Sequence, residues 1–304
     1  MARHMNRRNF LGASLLGVSA GMSLENRTLL AKLSEEGKPA EDTGPICGLQ
    51  RGKLGKLEVS RLICGGNLFS GFAHSRDLIY VSALMKQYFT AEKIMDTLQL
   101  CEENGINTAI LRCDNHIVEV LNRYRKERGG KIQWIAQTYP KENDLTSNIQ
   151  LAIDNGAVGA YAQGGIGDTF FEEGKIDLLG KVIAFIKKNG LVAGVGSHSL
   201  EVTKAAEREK LEPDFYFKTF NNVDYNSEPP EQIAAYMKTV DKPWVAFKIL
   251  GAGNIKPVEG FKFTFELGAD FLNVGMFDFQ VKDDIAIAKE LLENGIQRER
   301  PWRS

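Results

Sequence analysis

Two lysines occupy equivalent places in two neighbouring apolar segments. Lys218 lies in Asp214-Phe-Tyr-Phe-Lys-Thr-Phe220 and Lys248 in Trp244-Val-Ala-Phe-Lys-Ile-Leu250. Lysine is almost never fully buried without a partner or a task, because a lone ammonium among apolar side chains carries a large desolvation cost. Two cations held close together each lower the other's pKa, which can turn one into a neutral amine nucleophile. As fixed cations the same residues would hold a substrate carboxylate or phosphate, or stabilise an enolate, a role that needs only position and charge. The alternative is that both point outward and snorkel.

Other polar residues gather after the same kind of apolar segment. Asn67, Arg112, Asn221, Asn222 and Asp224 make a polar rim that suits a hydroxylated small-molecule ligand such as a sugar, or an ordinary solvated loop. Phe69, Phe72, Tyr139, Phe220, Phe277 and Phe279 would stack on a sugar face or plug the mouth of a barrel. His74, His116, His198, Asp114 and Asp278 also follow apolar segments. No H-x-H or H-E-x-x-H spacing supports a metal centre, so none is assigned.

These residues must be positioned by a chain of 304 residues, long for one ordinary domain but normal for a single α/β barrel. The formal net charge is -1, which gives no footprint for nucleic acid or an anionic membrane surface. Cys47, Cys64, Cys101 and Cys113 lack C-x-x-C spacing and do not read as a zinc site or a dense disulfide framework. Cys64 and Cys113 fall in apolar segments and read as packing residues.

Residues 1–23 carry a basic stretch, Asn6-Arg-Arg-Asn-Phe-Leu-Gly12, then a short apolar run ending in small residues near Val18-Ser-Ala20. That order describes a signal peptide, and paired arginines followed by x-Phe-Leu resemble the twin-arginine export signal. The run is too short to span a bilayer as a stable helix, so the expectation is an exported, periplasmic protein with no stable membrane span. Residues 24–50 read as a linker, and 51–304 as one folded domain.

From Arg51 onward short apolar runs alternate with amphipathic ones. Eight runs read as strands covered on both faces: 61–65, 107–112, 132–136, 157–161, 190–194, 214–218, 244–248 and 271–275. Helical patterns cover 91–104, 175–189, 199–207, 230–240, 259–267 and 283–293, several of them closed by a glycine. The pattern implies a (β/α)8 TIM barrel with its site at the C-terminal strand ends. No G-x-G-x-x-G follows the first strand, as an open dinucleotide-binding sheet would require.

Three stretches resemble aldo-keto reductases: Leu54-Gly-Lys-Leu-Glu-Val-Ser-Arg-Leu-Ile-Cys-Gly-Gly66, Asn104-Gly-Ile-Asn-Thr-Ala109 and Val195-Gly-Ser-His-Ser-Leu-Glu201. The resemblance spans roughly 51–222. It implies that Ser197 and His198 sit where that family holds a nicotinamide amide, so NADP is the cofactor implied. It also implies a catalytic Asp, Tyr, Lys and His, which do not carry over. Strand two ends in Ile110-Leu-Arg-Cys-Asp-Asn-His116, strand three in Ala136-Gln-Thr-Tyr139, and strand four in Ala162-Gln-Gly-Gly165. Gln163 stands where the histidine would be and becomes a candidate substrate contact. Asp114 and Tyr139 are displaced substitutes for the missing acid and base.

The C-terminal strands, with Phe247-Lys-Ile-Leu-Gly-Ala-Gly-Asn254 and Gly268-Ala-Asp-Phe-Leu-Asn-Val-Gly275, are similar to deoxyribose-phosphate aldolases. That similarity implies Lys218 as imine former and Lys248 as the cation that lowers its pKa. Gly251, Gly253 and Gly275 would then cradle a cofactor or phosphate, or serve as plain turn residues. Three readings follow: an enzyme of altered aldo-keto-reductase type acting on a carbonyl or sugar substrate, a Schiff-base lyase or aldolase, and a non-catalytic sugar-binding barrel.

Overall fold

The computed structural model describes residues 48–72 and 78–304. Eight parallel strands close into a barrel: β3 (Leu62–Gly65), β4 (Thr108–Arg112), β5 (Gln133–Thr138), β6 (Gly159–Ala162), β7 (Val192–Ser197), β8 (Phe215–Thr219), β9 (Trp244–Phe247) and β10 (Phe271–Val274). Strand order follows chain order, and β10 pairs with β3 to close the ring. The helices between are α1 (Val81–Tyr88), α2 (Ala91–Glu103), α3 (Asn115–Arg128), α4 (Ser147–Asp154), α5 (Gly164–Glu172), α6 (Ile176–Lys188), α7 (Leu200–Arg208), α8 (Pro230–Met237), α9 (Pro257–Glu266) and α10 (Asp278–Glu293). This is the expected (β/α)8 architecture. No helix of the described residues is long and apolar enough to cross a membrane. The expected signal peptide and most of the linker lie outside the described residues. Of the linker's last residues, Leu49 is buried in the core.

All eight expected strands are present, with some ends shifted. Two shifts matter for the site: β5 continues to Thr138 and β7 to Ser197, so Gln137 falls inside a strand. Gly105, Gly190, Gly268 and Gly295, read as residues closing helices, all have positive φ (99°, 77°, 108° and 76°). The structure adds α1, α3, α4 and α5 to the expected helices, and an antiparallel hairpin of β1 (Arg51–Leu54) and β2 (Leu57–Ser60) ahead of the barrel.

The strand pleat sorts side chains into two cores. Ile63, Ile110, Ile135, Tyr161, Val192, Phe215, Phe217, Val245, Phe247 and Phe271 fill the barrel interior, joined from the hairpin by Leu54 and Val59. Tyr161 and Phe215 fit because β7 offers glycines opposite them. A Cβ on Gly194 would lie 2.3 Å from Phe215 Cζ, and one on Gly196 would lie 2.8 Å from the Tyr161 ring. Phe217 and Phe247 stack at 4.2 Å and roof this layer. The opposite pleat positions, including Tyr216, Trp244 and Leu272, pack against the helices. At the N-terminal end of the strands, buried Arg300 donates to the carbonyls of Met237, Val240 and Lys242 and pairs with buried Asp270, which accepts from Trp244 N. The stabilising clamp and the open end of the barrel are therefore at opposite faces.

Asp284, on the buried side of α10, is 3 % exposed, and burial raises its carboxyl to about 7. Between the ordinary aspartate range and pH 7 the folded state keeps a proton that the unfolded chain releases. Stability therefore falls as pH rises through that window and levels off above it. Asp284→Asn should raise stability at pH 8 by about 1–4 kcal/mol and change it little at pH 4. Urea unfolding at both pH values checks this; equal midpoints at pH 8 would reject it.

Candidate active site

The residues at the inward-facing strand ends line a cavity of about 400 Å³ above the Phe217–Phe247 layer, within the size range of small-ligand sites. Gly65, Ile110, Arg112, Gln137, Tyr161 and Asn273 reach it from strands β3 to β6 and β10, and Asn67, Phe72, Tyr139, Gln163, His198 and Lys248 from the turns that follow strands. This is the C-terminal face, where (β/α)8 enzymes place their chemistry.

Lys248 follows β9 directly, and its φ of 59° puts it in the left-handed region. For a residue with a Cβ that conformation costs roughly 1–2 kcal/mol. It turns the chain into the Gly251–Gly253 3-10 turn and aims the side chain into the cavity. There the ammonium lies 5.0 Å from the centre of the Tyr225 ring. Among the described residues it makes no hydrogen bond or ion pair. Burial lowers its pKa to about 8, opposed by the more distant charge of Asp168.

His198 follows β7. Its Nδ1 lies 2.7 Å from Asp168 Oδ2, and the same carboxylate accepts from the backbone N–H groups of His198 (3.0 Å) and Ser199 (3.0 Å). Three donors converge on Asp168, which fixes the ring and sets Nδ1 as the protonated nitrogen. Nε2 is left as the basic one. Asp168 sits in α5, 30 residues from His198. No local pattern joined the two in the sequence, since only barrel closure brings α5 against the end of β7.

Arg112 ends β4 and lies between two rings, 4.4 Å from the centroid of Phe72 and 4.4 Å from that of Tyr139. Its Nε donates to Asp114 Oδ2 at 3.3 Å. Both rings thus hold the cation in place, and its terminal nitrogens are left for a ligand. The Tyr139 hydroxyl and Asn273 Oδ1 are both buried without a hydrogen-bond partner. Burial pushes the Tyr139 hydroxyl up to about 12, so it stays protonated and available as a donor.

Several expected site residues have other tasks. Lys218 is the main correction. It occupies an outward pleat position of β8, its side chain is 0 % exposed, and it does not line the cavity. Its Nζ donates to Glu228 Oε2 (2.8 Å), Thr219 Oγ1 (3.0 Å) and the carbonyl of His198. Burial lowers its pKa while Glu228 raises it, and Lys248 has no part in the shift. Held this way, the lysine is a strut beneath the His198 turn, sealed away from the cavity. Asp114 is corrected likewise: it caps α3 through Ile117 N (3.0 Å) and steadies Arg112 from outside the cavity. Asn221 accepts from Val223 N and Tyr225 N and donates to the Tyr225 carbonyl, so it shapes its own loop. Asn222 is exposed and away from the cavity. Asn67 and Gln163 do line it, and Gln163 also caps α5 through Ile166 N (3.2 Å). Gly253 and Gly275 line it, whereas Gly251 lies outside it; φ of 53° and 88° at Gly251 and Gly253 is turn geometry.

Ser197 is 1 % exposed, its hydroxyl has no partner, and it does not reach the cavity. With His198 Nδ1 committed to Asp168, the pair does not fit a nicotinamide amide in the way the resemblance implies. Among the described residues no cluster of three or more His, Cys, Asp or Glu is arranged to hold a metal. His116 is exposed, Asp278 pairs with Lys93, and His74 lies outside the described residues. Cys64, Cys101 and Cys113 are buried free thiols.

No family model and no curated protein matches the chain. Solved structures do. PA4992 of Pseudomonas aeruginosa, classed with the aldo-keto reductases, superposes with a TM-score of 0.62 at 17% identity, covering 84% of this chain and 100% of its own. The aldo-keto reductase AKR11C1 of Bacillus halodurans, in its holo form, gives 0.54 at 13% identity, covering 80% and 91%. A truncated 3-deoxy-D-arabino-heptulosonate 7-phosphate synthase of Thermotoga maritima gives 0.53 at 10% identity, covering 81% and 91%. At these identities the likeness is one of fold: the chain has the barrel architecture found in aldo-keto reductases.

Proposed function

We propose that this protein is an enzyme of aldo-keto-reductase-like architecture that acts on a small carbonyl or sugar-type substrate by proton transfer beside the carbonyl group. One observation carries the reading: an unpaired lysine and a carboxylate-oriented imidazole face the same cavity. His198 Nε2 takes the proton from the carbon next to the carbonyl, and Asp168 stabilises the imidazolium that forms. The Lys248 ammonium stabilises the negative charge that develops on the carbonyl oxygen. Arg112 supplies a second positive charge at the far side of the same space. The inward ends of β4, β5 and β6 present Arg112, Gln137 and Tyr161, which supports a departure from the Asp, Tyr, Lys and His chemistry of the reductases.

The test is proton exchange. Pyruvate and D-glucuronate are incubated with the protein in heavy water, and loss of the proton next to the carbonyl is followed by NMR. Catalysed exchange is expected. Exchange no faster than in buffer rejects the reading. Addition of NADPH should leave the melting temperature unchanged; a saturable rise would restore a reductase site.

A second reading rests on the low pKa of Lys248 and its lack of partners: the amine itself attacks the carbonyl carbon, water leaves, and an imine forms. Borohydride would then fix the substrate on Lys248 as a secondary amine visible in the peptide mass. Lys218, sealed from the cavity and hydrogen-bonded to Glu228, should stay unlabelled. We also propose export by the twin-arginine route, supported by Arg7 and Arg8 in their sequence setting. Replacing both by lysine should leave precursor in the cytoplasm, and unchanged export would reject the route.

A further inference from the structure

The cavity is unevenly equipped. The Arg112 side shows donors: the terminal guanidinium nitrogens, and the Tyr139 hydroxyl, buried without a partner. Two strands round the ring, Asn273 on β10 presents a buried carbonyl oxygen, Oδ1, that nothing in the described protein satisfies. On the other side of Arg112 lies its register partner on β5, Gln137, whose amide both donates and accepts. A ligand that satisfies this set needs an anionic acceptor at one end and a hydrogen-bond donor at the other. A simple oxo acid has the first and lacks the second. A neutral sugar has the second and lacks the first.

We propose that the cavity recognises a hydroxylated carboxylic acid of the sugar-acid class, with its carboxylate on Arg112 and Tyr139 and a hydroxyl donating to Asn273 Oδ1. A carboxylate matches the edge of the guanidinium, which Phe72 and Tyr139 hold in plane from both faces. The Tyr139 hydroxyl adds a third donor to the same oxygens. A hydroxyl at the other end donates to Asn273, which no purely accepting group can do. A buried polar atom left unpaired in the complex weakens binding steeply, so Asn273 acts as a selector even if it contributes little when satisfied. The inference rests on the proposed function only for the presence of a carbonyl in the substrate; carboxylate and hydroxyl recognition stand apart from it.

The experiment is a calorimetric comparison of D-glucuronate and D-galacturonate with pyruvate, D-glucose and D-galactose. At least one uronate should bind about tenfold or more tightly than pyruvate and than its own neutral sugar. Arg112→Gln should bring that uronate down to the level of its neutral sugar. Asn273→Ala should narrow the gap between uronate and pyruvate while leaving the arginine effect in place. Melting temperatures of both variants establish that they fold, and Asn273→Asp supplies a second variant that keeps an acceptor there. Equal binding of uronate and neutral sugar overturns the carboxylate assignment. Equal binding of uronate and pyruvate overturns the hydroxyl assignment, and no binding by any of the five overturns both. Proton exchange on pyruvate with no uronate preference would leave the proposed function standing without this inference. Uronate selectivity without exchange would do the reverse.

Discussion

Cutting Glu228 back to alanine should destabilise the folded protein by about 2–4 kcal/mol, because it strands a fully buried ammonium. Lys218 is 0 % exposed, and Glu228 is its only carboxylate partner among the described residues. Glu228 also accepts from Leu200 N at the start of α7, a donor that would lose its cap. Glu228 itself is 29% exposed, so water reaches it and keeps the figure below that of a fully sealed pair. The pH dependence has a definite sign. Lys218 holds the Glu228 carboxyl below the usual glutamate range although burial pushes it up. Its contribution is therefore present above the unfolded-state pKa and lost as pH falls through the lower folded value. Guanidinium unfolding near neutral pH should show the full loss in Glu228→Ala, and the gap from wild type should close in acid. A loss under about 0.5 kcal/mol near neutral pH would mean that the pair carries nothing, and Lys218 would again be open to a chemical role. The double replacement Lys218→Met, Glu228→Leu should recover much of the stability, since it removes both charges together. It would also remove the strut under the His198 carbonyl, to which Lys218 and Thr219 both donate.

The two lysines show what a sequence can and cannot say. Their equivalence was legible: each closes an apolar strand, and each is buried enough to have a lowered pKa. Which one faces the cavity was not. In β8 the inward residues are Phe215 and Phe217, so Lys218 falls on the outer face. In β9 the inward residues are Val245 and Phe247, and the same parity would send Lys248 outward too. The strand ends at Phe247, and positive φ at Lys248 turns the side chain back over the barrel mouth. A non-glycine residue in that conformation leaves no trace in composition or periodicity. Strand existence was readable, because runs buried on both faces are continuously apolar. The hairpin of β1 and β2 left no such run, because Arg51-Gly-Lys-Leu54 and Leu57-Glu-Val-Ser60 mix exposed polar residues with the apolar ones. The rim of asparagines divides for a similar reason. Asn67 reaches the cavity, while Asn221 spends its amide on its own loop, a use that short polar side chains in turns commonly find. Asn273 and Asp168, which the chemistry needs most, sit in a strand and a helix and were read as neither rim nor base.

Asp168→Asn and His198→Gln should each slow catalysed proton exchange by about a hundredfold to ten-thousandfold, the usual worth of a positioned general base. The two losses should not add, because Asp168 works only through His198. In wild type the carboxylate accepts from Nδ1 and from two backbone N–H groups, so it both fixes the tautomer and stabilises the imidazolium. An asparagine keeps one acceptor oxygen for the backbone and gives up the negative charge. The ring then stays near its place, and the cation that forms on proton abstraction loses its counterion. The readout that separates this from simple disordering is the split between exchange rate and ligand affinity. Uronate affinity, set on the Arg112 side of the cavity, should change little. A matching loss of uronate affinity would mean that Asp168 only props the β7 turn, and the proton would have to leave by another group facing the cavity, with Lys248 in its neutral form the next in line.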